Sequence, residues 1–98
     1  MGNAVSFTPE ACMPLVLKHL KVETNHTTSE TERYVAALTL AHLDTPESEI
    51  SDCAHRIAQQ LVAQNHELDF LECFVQVESM LIGLKFEGCR AFAAIAKA

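Results

Sequence analysis

Apolar residues in the last third of the chain keep helical phase for roughly seven turns, from Leu68 to Ile95, with no proline among them. Phe70, Phe74, Val77, Leu81, Leu84, Gly88, Phe92 and Ile95 step by three or four, which puts them on one line of an α-helix. A second apolar line runs beside it through Leu71, Val75, Ile82, Phe86, Cys89, Ala93 and Ala96. Asp69, Glu72, Gln76, Ser79, Gly83, Glu87, Arg90 and Lys97 form the polar line, and Cys73 and Met80 flank the other side. The apolar arc is therefore wider than the usual core-facing stripe of about 100°. Such a helix must be covered on two sides, by its own chain or by another.

Three shorter helices precede it. Thr8-Pro9-Glu10 and Thr45-Pro46-Glu47 each combine a hydroxyl cap, a proline at the first helical position and an acid in the first turn, so each reads as a helix start. The first helix is expected over residues 9–20, with Pro14 delaying its start by up to a turn and Cys12, Leu15, Val16, His19 and Leu20 inward. The second, over 30–43 and capped by Thr28 or Ser29, carries Tyr34, Val35, Leu38, Leu40, Ala41 and Leu43 inward. A thin polar edge of Glu32, Arg33, Ala36 and Thr39 makes it the most enclosed element expected. The third, over 46–64, has a clean inner face of Ile50, Cys53, Ala54, Ile57, Ala58, Leu61 and Val62, and Asn65 is expected to stop it in the left-handed conformation.

No alternation of period two and no hairpin turn signal appears, so the fold class expected is all-α. Short connections favour a small four-helix antiparallel bundle with a long C-terminal helix, occupying residues 1–98 as a single domain. A break at Gly83 or Gly88 would make five helices, but no N-cap precedes Phe86 and the apolar phase survives both glycines, which favours continuity. As one helix, residues 67–97 would span roughly 46 Å and overhang a bundle about 30–35 Å across. Gly88 on the inner line then permits another helix to approach closely.

Composition narrows the function. An apolar fraction of 49% with 20% charged residues excludes a disordered chain. Seven basic against thirteen acidic residues, net −6, argue against direct nucleic-acid binding, which rests on Lys and Arg displacing counterions. No apolar run reaches the roughly 18 residues of a membrane span, and residues 1–6 lack the pattern of a secretory signal, so a cytoplasmic location is expected. Cys12, Cys53, Cys73 and Cys89 sit within helical patterns without any C-x-x-C, and Cys73 and Cys89 would lie roughly 24 Å apart on one helix, so reduced thiols are expected.

The candidate chemistry is thin. Asp52 and His55 lie one turn apart, as in carboxylate-bridged metal bundles, but such a site needs a second acid-x-x-His pair, and Glu23 with His26 falls in a polar connection. Cys12 and His19, about 10 Å apart by helical rise, do not make a nucleophile pair. With three glycines in the chain there is no phosphate loop, so neither an enzyme, a cofactor nor a resident metal is expected. The Asn25-His26-Thr27 sequon is without consequence in a chain that is not exported. Met1-Gly2 with Ser6 matches the N-myristoylation pattern at Gly2, which would make the chain a membrane-tethered adaptor, although no polybasic stretch assists it.

What is left is the surplus apolar surface of the last helix. It implies a small acidic protein-binding module, acting as inhibitor, escort or adaptor and pairing with itself as a homodimer. Phe86, Phe92 and Ile95 are the candidate anchors, and Glu87, Arg90 and Lys97 the polar rim that sets register. A compact inhibitor made by a phage or mobile element against a host complex falls in the same class.

Overall fold

The computed structural model describes residues 9–22 and 28–97. The expectations for Gly2, Ser6, Thr8 and the Asn25-His26-Thr27 sequon lie outside the described residues, as does the side chain of Glu10. Four α-helices form the described chain: α1 (Met13–His19), α2 (Ser29–His42), α3 (Glu47–Gln64) and α4 (Phe70–Lys97), with a 3-10 turn at Pro9–Cys12 leading into α1. Among the described residues there is no strand. The fold is the all-α bundle expected, elongated to 53 × 30 × 24 Å.

α4 is its spine. At 28 residues it is unbroken through both Gly83 and Gly88 and about 42 Å long. α3 runs antiparallel along its first half, with the His55 ring edge-on to Phe70 at 5.2 Å and to Phe74 at 6.1 Å. α2 crosses its second half at Gly88, and α1 with the preceding turn closes the side between α2 and α3. The shared core gathers Met13, Val16 and Leu17 of α1, Leu40 of α2, Ile50 and Ile57 of α3, and Val77, Leu81 and Leu84 of α4.

The helix ends follow local chemistry. Pro14 falls in the first turn of α1, where its missing N–H leaves no bond unmade, so the α-helix begins one turn after the sequence signal at Pro9. Thr28 caps α2, its Oγ1 accepting the Thr31 N–H at 3.2 Å. Two ends close with the same motif. Lys21 (φ 60°) and Asp44 (φ 48°) take the left-handed conformation. The next residue, Val22 or Thr45, then donates its N–H back to Leu17 or Leu40, five residues earlier. A non-glycine residue there is strained. Lys21→Gly is therefore expected to stabilise the fold by about 0.5–1 kcal/mol, the left-handed penalty less the added unfolded-state freedom of glycine. An unchanged or lowered melting temperature would refute that.

Two expected stops work differently. Pro46, not Thr45, is the N-cap of α3, and no side chain caps that end. Thr45 is instead buried in the connection, where its carbonyl accepts Lys85 Nζ of α4 at 2.7 Å. Asn65 is extended rather than left-handed (φ −144°, ψ 100°), and its Oδ1 accepts the Glu67 N–H at 3.1 Å. That side-chain turn redirects the chain into α4, whose first bond runs from the Cys73 N–H to the Asp69 carbonyl.

The largest departure from the sequence pattern is on α2. Ala36, assigned to the polar edge, is fully buried with Ala37 and Leu40, whereas Tyr34 and Leu43 are exposed. The cause is the crossing with α4: Gly88 lies against the Ala37 carbonyl and the Ala41 methyl, so α2 must present its small residues there and turn its large ones outward. α2 is consequently not the most enclosed helix.

Candidate functional site

Burial along α4 divides its wide apolar arc. The buried line is Cys73, Val77, Leu81, Leu84 and Gly88, rotated from the expected inner line toward the side of Cys73. Phe70 and Phe74 are left half-buried at its margin, against His55 and against each other, with ring centroids 6.3 Å apart and planes nearly parallel. The second apolar line faces out. Leu71 is 63% exposed and Phe86 64%, with Val75, Ile82 and Cys89 also exposed. This outward stripe lies roughly 140° round the helix from the buried line, so α2 and α3 cannot reach it. Among the described residues, the helix is covered on one side only.

The six residues assigned to partner binding do not share a face. Phe86 belongs to the outward stripe, with the Arg90 guanidinium 6.0 Å from its ring centroid, in cation–π range. Glu87 turns toward α2, where both its oxygens accept from Arg33 Nη2 at 3.0 and 3.1 Å. Phe92 packs on the His42 ring of α2 at 6.3 Å between centroids. Ile95 continues the buried line beyond the last neighbour and is 61% exposed. Lys97 is exposed on the final turn. The overhang is short, because only Ala93 to Lys97, about 8 Å of helix, extends past the Phe92 contact. Leu71, Val75 and Ile82 are the residues the expected site omitted. Their signal was visible as the second apolar line, but periodicity alone could not say which of two lines the bundle would cover.

Other constellations resolve into packing. His55 is spent on Phe70 and Phe74, and among the described residues no three ligating side chains converge to hold a metal ion. His19 lies within 3.4 Å of Gln60 on α3 rather than beside Cys12, which is buried in the 3-10 turn. Burial raises the thiol pKa of Cys53 against the opposing pull of Arg56. Burial likewise raises that of Cys73, reinforced by the carboxylates of Glu72 and Asp69. Both thiols are held in the protonated, unreactive form.

Shallow grooves lie among the described residues. One of about 360 Å³ lies between His19, Leu40, Asp52 and Arg56, and one of about 310 Å³ between Tyr34 and Leu38 of α2 and Ala91 of α4. The second is bordered by the Arg33–Glu87 ion pair and offers a mostly apolar floor beside the α2–α4 crossing. No helix among the described residues is long and apolar enough to cross a membrane.

No protein-family model, curated protein or solved structure matches this chain.

Proposed function

We propose that this chain is a small acidic protein-binding module of the cytoplasm, an inhibitor, escort or adaptor that docks a protein partner along the outward face of α4. One observation carries the reading: Leu71, Val75, Ile82 and Phe86 are exposed on a single line of an unbroken helix whose opposite line already completes the core. From Leu71 to Cys89 the stripe is about 27 Å long, and at a helix width of about 10 Å it approaches 300 Å2. That is already the size of the largest patch on ordinary monomers, where such patches often serve binding.

The mechanism is helix-against-helix packing. Phe86, held by Arg90, is the aromatic anchor, and Leu71, Val75 and Ile82 fill the partner's grooves. Glu72, Ser79, Arg90 and Lys97 border the stripe and set register. Phe92 and Ile95 lie on the core side of α4 and stand outside this contact. The same surface serves self-association.

Capture from the source organism tests the proposal. Tagged wild-type chain is expected to retain a discrete protein that Phe86→Asp loses, with both baits equally helical by circular dichroism. Identical capture by the two baits would remove α4's outward face as the docking surface.

A further inference from the structure

The charges beside the outward stripe name an occupant for it. The stripe reads almost the same in both directions from the level of Met80. Leu71 lies as far before that level as Cys89 lies after it, and Val75 pairs off with Phe86 to within one residue, about 1.5 Å. On one margin stand Glu72 toward the N-terminal end and Arg90 toward the C-terminal end, both exposed. On the other margin stand Glu78 and then Lys85, again acid before base. Glu72 stands eight residues before Met80 and Arg90 ten after it, whereas Glu78 stands two before and Lys85 five after.

We propose that a second copy of this chain occupies the stripe, its α4 antiparallel to the first about a two-fold axis at the level of Met80. The inference rests on the reading of α4 as a docking surface and goes beyond it by naming occupant, orientation and register. A two-fold axis perpendicular to the paired helices brings each margin against the same margin of the second copy. Glu72 then faces Arg90 of the second copy, and Glu78 faces the Lys85 side. Every such pair occurs twice. In a parallel pair, acids would gather at one end and bases at the other, so charge selects the antiparallel arrangement. The apolar layers match as well: Phe86 packs across from Val75, Leu71 across from Cys89, and Ile82 crosses its own counterpart close to the axis.

Among the described residues, the contacts of Glu72 and Arg90 stay within α4. Glu72 accepts a hydrogen bond at 3.1 Å from Gln76, one turn along the same helix, and Arg90 rests over Phe86 of that helix. Lys85 is more constrained, since its ammonium also meets Asp44 at 3.3 Å and the Thr45 carbonyl. The decisive charges are therefore Glu72 and Arg90.

Sedimentation of the full chain from low micromolar to submillimolar concentration tests the assignment. Wild type is expected to pass from monomer to dimer. Arg90→Glu and Glu72→Arg alone are each expected to weaken dimerisation by roughly tenfold, because symmetry uses each substitution twice. The double variant Glu72→Arg/Arg90→Glu is expected to return to within a few-fold of wild type. These charge variants leave every apolar residue in place, so they stay informative if Ile82→Asp, expected to be a helical monomer, fails to fold. A double variant no better than the singles overturns the antiparallel register. A wild-type chain that stays monomeric throughout overturns the second copy as occupant. If Phe86→Asp still loses a captured partner in that case, the docking face itself survives and only its occupant was wrong.

Discussion

Gly88→Ala is expected to destabilise this protein by about 2–3 kcal/mol, although the same change in an open helix interior would stabilise it by about 1 kcal/mol. A Cβ at residue 88 would overlap the Ala37 carbonyl, coming within 2.6 Å of its carbon and 2.9 Å of the Ala41 methyl. Two of those atoms are backbone, so no side-chain rotation can clear them. α2 would have to lift from α4, opening the layer that buries Ala37 and Leu40. Gly83 supplies the internal control. A Cβ there meets nothing within 4 Å, and Gly83→Ala is expected to gain about 1 kcal/mol through helix propensity and the loss of unfolded-state freedom. Thermal or urea denaturation of the two variants should move in opposite directions. For a domain of this size the midpoint shifts by about 4–8 °C per kcal/mol, so the divergence is easily resolved. A Gly88→Ala protein melting at or above wild type would mean that the α2–α4 crossing is looser than these distances require.

The same crossing explains where sequence reasoning succeeded and where it stopped. Where a helix has one apolar and one polar face, as α3 does, the pattern alone selects the buried residues: Ile50, Ala54, Ile57 and Ala58 were all legible. Continuity of α4 was legible too, because its apolar phase passes both glycines unbroken. On α2 the rule failed. Its alanines were too small to register as core and its tyrosine too large to register as surface, yet steric fit to Gly88 reversed both. Hydrophobicity ranks residues by what they would gain from burial, whereas a close helix crossing ranks them by size.

The candidate site was partly legible for a related reason. The excess of apolar surface on α4 could be read by counting lines, and Phe86 is one of its exposed large residues. The direction of each line depends on which neighbours arrive, and that is tertiary information. Phe92 and Ile95 were read as part of one overhanging patch with Phe86. They extend the core side instead, roughly 120° or more away round the helix. Asp44 and Lys21 were opaque as left-handed stops, because nothing but the following turn geometry distinguishes them from ordinary charged residues.

Stability and binding should separate over two residues of α4. Leu84 is fully buried among the residues of the shared core, and Leu84→Ala is expected to cost about 2–5 kcal/mol through lost transfer energy and the cavity left behind. Phe86, one-half turn further on, is 64% exposed and contributes little to the monomer's own packing. Phe86→Ala is expected to change stability by no more than about 0.5 kcal/mol, as surface substitutions usually do. Its effect should fall on association instead: partner capture and concentration-dependent pairing weaken while the melting curve of the dilute monomer stays in place. Leu84→Ala should show the reverse below its own melting temperature, a fold that melts early yet still binds, since the outward stripe is untouched. If Phe86→Ala lowered the melting point as much as Leu84→Ala, the aromatic ring would belong to the bundle. α4 would then have no second face to offer.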